Sequence, residues 1–147
     1  MKVHNIQLRA FYSPEALEEG MHAFKQILPK EVEVKEEELE PEAEGGVFTK
    51  PLCVLTAFAS KQSQVKELLA RIVSGLSEED LAELKKTLDL RVDDDCNLYL
   101  RLDKKALSEG RLSIKTRDAV HVKIKLACFP KKRENTLEIA RELFNLE

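Results

Sequence analysis

Alternation of aliphatic and charged residues in two segments constrains the fold of this chain more than any other feature. In Leu98–Asp103 the leucines occupy every second position, and Tyr99, Arg101 and Asp103 lie between them. Val120–Leu126 repeats the pattern, with aliphatic residues at alternate positions and, between them, His121, Lys123 and Lys125. A period of two is that of a β-strand, whose successive side chains point to opposite faces. The pattern predicts a sheet with one buried face and one cationic face.

Other segments complete the predicted fold. Hydrophobic patterning predicts further strands at Val3–Phe11, Glu31–Leu39, Pro51–Ala59 and, briefly, Leu90–Val92. Caps and apolar stripes predict helices at 14–28, 60–75, 78–88 and 130–146, with one helical turn near 103–109. We therefore expect one α+β domain over residues 1–147, in which a mostly antiparallel mixed sheet and helices form two layers. The C-terminal helix, at about 130–146, is amphipathic.

Several classes of protein are disfavoured by the sequence. No window approaches the roughly 18 apolar residues of a membrane span, and the first residues lack a signal-peptide hydrophobic region. A cytoplasmic location is the expectation. The three cysteines are odd in number and form no C-x-x-C pair, which disfavours a zinc site or a disulfide framework.

Charge is segregated along the chain although the net charge is only −3. Residues 1–90 hold 11 Lys/Arg against 17 Asp/Glu, whereas residues 91–133 hold 12 against 6. A basic segment that includes the cationic strands indicates an anionic partner, and RNA is the partner that we expect. The alternatives are that Glu31 and Glu33 neutralise these cations across strands, or that a helix covers them.

Candidate RNA contacts follow from the polar sheet face. Cations neutralise phosphates, and aromatic side chains such as Phe11 stack on unpaired bases, a combination that suits single-stranded or looped RNA. We expect direct contacts from Arg9, Arg91, Tyr99, Arg101, Lys123 and Lys125. Loops and helix starts offer a second set of cations that position phosphates, namely Lys104, Lys105, Lys131, Lys132 and Arg133.

Signals for catalysis or metal binding are weak. Asp93, Asp94 and Asp95, with Asp103, lack the spacing of a calcium loop and are typical of a turn. The three histidines are far apart in sequence, and no glycine-rich phosphate loop exists. We predict no catalytic residue, no metal and no cofactor.

The sequence resembles a family of small archaeal proteins described as RNA-binding proteins or predicted exosome subunits. The resemblance rests on IQLRAFYSPE near the start, Leu28–Pro29, Pro51–Leu52, and the block RVDDDCNLYLRLDKKAL followed by Gly110 and DAVHVKIKL. It implies a fold similar to that of ribosomal large-subunit protein five. The family tends to carry glycine where this chain has Cys96.

Together these features predict a non-enzymatic RNA-binding accessory protein linked to RNA processing or degradation. The alternative is a protein-interaction or homodimerisation module. In that case the basic segment meets an acidic partner, such as the Glu36–Glu44 run of a second copy.

Overall fold

A single antiparallel sheet organises the molecule. The computed structural model describes residues 2–41 and 50–146. Within them, five strands lie in the order β2-β3-β1-β5-β4, and each neighbouring pair is antiparallel. The strands are β1 (Val3–Tyr12), β2 (Val34–Leu39), β3 (Leu52–Ala59), β4 (Asn97–Asp103) and β5 (Ala119–Leu126).

Five α-helices accompany the sheet in the described part of the chain. A single 3₁₀ turn at Pro14–Ala16 leads into the first helix, and another at Leu88–Leu90 follows the third. The helices are α1 (Leu17–Ile27), α2 (Gln62–Gly75), α3 (Glu78–Thr87), α4 (Lys104–Ser108) and α5 (Arg133–Phe144). The predicted α+β class is confirmed.

The core lies between the helices and one face of the sheet. Alternate residues of the strands, such as Leu8, Leu100 and Val122, are at most 1% exposed. Phe24 of α1 and Phe144 of α5 belong to the same buried cluster. Burial of this apolar surface stabilises the fold and keeps β1, β5 and β4 packed against the helices as parts of one sheet.

One predicted strand is wrong. Leu90 ends the second 3₁₀ turn and is 81% exposed, and only Val92 pairs with β4, as an isolated bridge to Leu98. Three residues of alternating polarity are too few to distinguish a strand from a turn that happens to bury one side chain.

One other boundary shifts. The second strand begins at Val34 rather than Glu31, because residues 30–31 form a turn. The acidic run Glu36–Glu44 begins within β2 and lies partly outside the described residues. None of the helices in the described ranges is long and apolar enough to cross a membrane.

The turn before β4 places Cys96 in a left-handed backbone conformation. Cys96 has a φ of +66°, a conformation that glycine adopts at little cost. Its side chain is 1% exposed and belongs to the core cluster. Here the chain keeps a buried thiol at a position where the backbone favours glycine.

Candidate functional site

Strand register aligns the polar side chains in rows on the sheet face opposite the core. Arg9 of β1 pairs with His121 of β5, and His121 pairs with Arg101 of β4. Since neighbouring strands lie about 4.8 Å apart, these three residues form one continuous row. The sheet therefore brings together cations that are far apart in sequence. We give the name open face to these three residues together with seven others that project to the same side of the sheet, namely Gln7, Phe11, Thr56, Phe58, Tyr99, Lys123 and Lys125.

A second row follows beside the first. Gln7 pairs with Phe58 on one side and with Lys123 on the other, and Lys123 pairs with Tyr99. An aromatic side chain thus lies at each end of this row, with a polar and a cationic group between them. Lys125, opposite Asn97, extends the cationic part along β5.

Aromatic rings are exposed on the open face. Phe11 is 36% exposed, Tyr99 38% and Phe58 53%. The guanidinium carbon of Arg9 lies 5.2 Å from the centroid of the Phe11 ring, within cation–π range. A cleft of about 310 Å³ is lined by Phe11, Tyr99, Lys123 and both members of the Arg9–His121 pair. Such a surface offers stacking platforms beside positive charge.

The cleft continues toward the edge of β4. A second space of about 440 Å³ lies between the open face and α3, and its lining includes Arg91, Tyr99, Arg101 and His121. Arg91 follows the second 3₁₀ turn and does not lie on a strand. Its Nε donates a 2.8 Å hydrogen bond to Oγ1 of Thr87. That bond directs the guanidinium into the same space.

Charge and burial act together on the Arg91 guanidinium. Burial lowers its pKa, nearby Glu83 raises it, and Arg101 lowers it further. Arginine remains protonated in proteins despite such shifts. Arg91 therefore adds a half-buried positive charge to the second space.

His121 lies between cations. Burial lowers the pKa of its imidazole, and the neighbouring charges of Arg101, Arg9 and Lys104 lower it further. An anion bound in this row would reverse the electrostatic part of that shift.

Tyr99 is held in place by the turn that precedes β4. Its hydroxyl donates a 2.8 Å hydrogen bond to Oδ2 of Asp93. The same carboxylate accepts hydrogen bonds from Asn97 and from the backbone N–H of Asp95. Burial raises the pKa of Asp93, but these hydrogen bonds outweigh it and lower the pKa to about 2.

The aspartates build a turn rather than a converging ligand set. Both oxygens of Asp93 accept hydrogen bonds from within the turn. Across residues 2–41 and 50–146, no three His, Cys, Asp or Glu side chains are grouped in a way that could hold a metal ion.

Two of the predicted phosphate positioners contact groups within the fold. The side chain of Lys104 is only 18% exposed. Its Nζ lies 2.7 Å from Oδ1 of Asp118 and also donates to the carbonyl of Phe11. Arg133 donates to the carbonyls of Val92 and Asp89. These contacts explain a cation in the first turn of α5, where the helix dipole favours acids.

The remaining predicted cations differ in their contacts. Lys125 donates to the carbonyl of Asp95, and Arg101 donates a 3.0 Å hydrogen bond to the carbonyl of Thr116. Lys105, Lys131 and Lys132 are exposed. The contacts of Lys125 and Arg101 with carbonyl oxygens orient these two side chains without neutralising their charge.

Neutralisation by glutamates was the main alternative for the open face. The ion pairs among the described residues do not include Arg9, Arg101, Lys123 or Lys125. Glu31 precedes β2, which lies at the opposite side of the sheet from β4. In the part of the chain that the structure describes, the positive charge of the face is therefore not cancelled by direct ion pairs.

Phe58 was missed by sequence reasoning. It belongs to an apolar run, in which an outward-facing residue looks like its buried neighbours Ala57 and Ala59. Its pairing with Gln7, a residue of the open face, identifies it. In the sequence, its position two residues after Thr56, the polar residue of the run, indicated that the two side chains share a face.

Comparison with known proteins identifies the family of this chain. Residues 5–126 match a family model whose description is RNA binding. A curated RNA-binding protein of Pyrococcus abyssi is 29% identical over 144 residues, which cover 97% of this chain and 94% of that protein.

Solved structures show the same fold. A DUF54 family protein from Archaeoglobus fulgidus is 28% identical with a TM-score of 0.82, over 97% of this chain and 99% of that one. A DUF54 protein from Methanothermobacter thermautotrophicus is 27% identical with a TM-score of 0.78, over 98% and 99% of the two chains.

Proposed function

Because the chain belongs to the RNA-binding family whose model spans residues 5–126, we propose that it is a non-enzymatic protein that binds RNA on the open face of its sheet. The observation that carries the proposal is the row formed by Arg9, His121 and Arg101, with aromatic rings exposed beside it. Phosphates supply the negative charge that such a row attracts, and bases supply the flat surfaces that the rings accept.

The proposed ligand is single-stranded or looped RNA. Phe58 and Tyr99 lie three strands apart, so about 14 Å separates their backbones at the usual strand spacing. Unpaired bases can splay to reach both rings, whereas bases stacked in a duplex present no free faces. Duplex RNA would meet only the cations.

The proposed contacts differ from those that the sequence suggested. Direct contact is assigned to Arg9, Arg91, Tyr99, Arg101, Lys123 and Lys125, with Phe11, Phe58 and His121 added from the geometry. Lys105, Lys131, Lys132 and Arg133 are retained as phosphate positioners, because the described contacts of Arg133, like those of Arg101, are only with carbonyl oxygens. Lys104 is left out because it pairs with Asp118 and its side chain is mostly buried.

Filter binding over a salt series tests the proposal. Single-stranded, hairpin and duplex RNA of equal length would be compared with the wild-type chain and with the double variant Arg101→Glu/Lys123→Glu. The double variant should bind at least tenfold more weakly, and the slope of log affinity against log salt should fall by roughly 1 to 2.

A matched control separates the open face from overall charge. Lys25 and Lys66 are exposed on α1 and α2, in the helical layer. The variant Lys25→Glu/Lys66→Glu changes the net charge by the same amount and should bind almost as the wild type does. Equal losses in the two double variants, or none in either, would contradict the assignment of the site.

Light scattering without RNA addresses the alternative function. A stable dimer that hides the open face would favour the homodimerisation module over RNA binding. A monomer that binds RNA through Arg101 and Lys123 would exclude that role for this face.

The cellular role is a further part of the proposal. We assign the chain to RNA processing or degradation, as a cytoplasmic accessory protein associated with the exosome in archaeal cells. Co-purification of exosome subunits with a tagged chain supports this role, and their absence contradicts it without affecting RNA binding. The fold likeness to ribosomal large-subunit protein five stays a prediction, which a superposition of coordinates would test.

A further inference from the structure

The two outer strands of the sheet differ in how their free edges are covered. On β4, the backbone N–H of Tyr99 donates to the carbonyl of Arg91, and that of Asp103 donates to the carbonyl of Ser113. Lys115 donates to a β4 carbonyl as well. Neighbouring segments thus occupy much of this edge.

The outer edge of β2 is open within the described residues. β2 pairs with β3 over its whole length, from Val34 to Leu39, and the described backbone hydrogen bonds include none to another segment. In an antiparallel strand every second residue directs its N–H and C=O away from the paired neighbour. Such an edge is a template on which an extended peptide adds as a further strand.

The side chains of β2 favour a basic partner. Glu36, Glu37 and Glu38 occupy its centre, and all three are exposed. Pairing of two copies centred on this strand sets glutamate against glutamate, which disfavours self-association. A strand with lysine or arginine opposite Glu36 and Glu38 gains instead from cross-strand attraction.

A partly apolar cleft lies beside the start of the same strand. Val34 pairs with buried Ala57 and therefore projects to the helical side of the sheet. There it lines a cleft of about 640 Å³ with the apolar residues Met21, Leu28 and Val32. The charged residues of the lining are Lys25, Lys30, Glu33 and Arg71. The Arg71 guanidinium at this cleft donates a 2.7 Å hydrogen bond to the carbonyl of Ile27, so its position is fixed.

We infer that the β2 edge binds an extended basic segment of a partner protein, which adds antiparallel to β2 as a sixth strand. Lysine or arginine side chains of the segment lie opposite Glu38 and Glu36. An apolar side chain two residues further on lies opposite Val34 and enters the cleft. The edge, the charge and the cleft all lie along one strand, at the far side of the sheet from β4.

A designed peptide tests this inference. The probe Thr-Lys-Thr-Lys-Thr-Val-Thr sets its lysines opposite Glu38 and Glu36 and its valine opposite Val34. Titration of isotope-labelled protein to millimolar peptide, followed by NMR, should shift the amide signals of residues 34–39. It should slow the hydrogen exchange of those amides that point away from β3. The probe with glutamate in place of lysine should bind about tenfold more weakly or not at all.

Two controls separate strand addition from simple attraction of charge. A probe methylated at alternate backbone nitrogens keeps its lysines but loses the hydrogen bonds to β2, and it should not bind. The variant Glu36→Lys/Glu38→Lys should weaken the original probe about tenfold. The variant Asp94→Lys/Glu138→Lys reverses exposed charges elsewhere and should bind the probe almost unchanged.

Several results would overturn the inference. They are the absence of shifts at residues 34–39, equal binding of the methylated probe, and an unchanged affinity in Glu36→Lys/Glu38→Lys. Slow exchange, in the free protein, of the β2 amides that point away from β3 would mean that the edge is already covered, by a second copy if light scattering shows a dimer. None of these results bears on RNA binding by the open face, so the two proposals fail separately.

Discussion

The hydroxyl of Tyr99 donates a 2.8 Å hydrogen bond to Oδ2 of Asp93, and this bond joins the turn before β4 to the open face. The ring is 38% exposed and borders both spaces on that face. Backbone N–H groups of the turn fix the carboxylate in turn. The Tyr99 side chain is therefore constrained at its hydroxyl as well as by its backbone. A stacking ring that is ordered before RNA arrives loses less conformational entropy on binding.

Replacing Asp93 should remove part of the acid dependence of stability. The pKa of this carboxyl is about 2 in the fold, against 3.8 for the free group. Its charged form therefore stabilises the fold fully above pH 4, and that contribution is lost as the pH falls toward 2. Allowing for solvent screening, Asp93→Asn should lower the free energy of unfolding at pH 7 by about 1 kcal/mol.

Urea unfolding at pH 7, 4 and 2.5 measures this contribution. The difference between Asp93→Asn and wild type should shrink as the pH falls. Asp94 is exposed in the same turn and serves as the control, since Asp94→Asn should follow the wild-type curve. A constant difference at all three pH values would show that the charge of Asp93 is not responsible.

Tyr99 allows stacking to be separated from hydrogen bonding. Tyr99→Ala removes a ring from the open face and should weaken the binding of single-stranded RNA by about 1–3 kcal/mol. Tyr99→Phe keeps the ring and loses only the link to Asp93, so most of the affinity should remain. Fluorescence anisotropy with labelled RNA at fixed salt would measure both. Equal losses would show that affinity depends on the hydroxyl or its bond to Asp93, and not on stacking by the ring.

His121 should make RNA binding depend on pH. The pKa of the imidazole is lowered from 6.5 by burial and then by Arg101, Arg9 and Lys104, which favours the neutral ring in the free protein at pH 7. A phosphate bound in the row raises that pKa, so binding takes up a proton and becomes tighter as the pH falls. Affinity should rise by about threefold to tenfold from pH 7.5 to 5.5.

The variant His121→Gln is the control for this effect. Glutamine keeps a polar side chain in the row but does not titrate, so the affinity of this variant should be nearly constant over the same range. A pH dependence equal to that of the wild type would assign the proton to another group.

Local patterns predicted the two cationic strands but not the order in which the strands lie in the sheet. Alternation in β4 and β5 extends over six or more residues and fixes which side chains share a face. The arrangement of Arg9 beside His121, and of His121 beside Arg101, depends on strand order, which arises from contacts between distant segments. Phe58 was hidden for the same reason, because an apolar run does not show which of its residues face outward.

Carbonyl contacts were equally invisible in the sequence. Lys104 and Lys105 are adjacent and chemically identical, yet the first is held by Asp118 and by the carbonyl of Phe11. Arg133 likewise binds carbonyls of the turn near Val92. Backbone oxygens carry no residue-specific signal, so a cation that binds them cannot be told in advance from one that is free to meet a phosphate.

Gly20 should not tolerate a side chain. A Cβ atom there would lie 2.7 Å from Cε2 of Tyr12. The tyrosine is 5% exposed, and the Nζ of Lys104 lies 4.3 Å from its ring centroid, so the ring has little room to move. Gly20→Ala should therefore destabilise the fold by about 1–3 kcal/mol, although alanine alone would favour the helix by up to about 1 kcal/mol.

A double-mutant cycle checks the cause of this loss. Tyr12→Ala removes the ring that the new methyl group would meet. The loss in Gly20→Ala/Tyr12→Ala, measured by urea unfolding, should be smaller than the sum of the two single losses. Additive losses would place the strain elsewhere.

Lys104 and Lys105 should separate stability from RNA binding. The Lys104 side chain pairs with Asp118 and is mostly buried, so Lys104→Ala should lower the free energy of unfolding by about 1–2 kcal/mol. Lys105 is exposed, and Lys105→Ala should change stability by less than about 0.5 kcal/mol. If Lys105 positions a phosphate, its variant should reduce the salt slope of RNA binding by roughly 0.7. Thermal unfolding and salt-dependent filter binding on the same two variants would measure both effects. A reduced slope in Lys104→Ala with stability intact would return Lys104 to the RNA contacts.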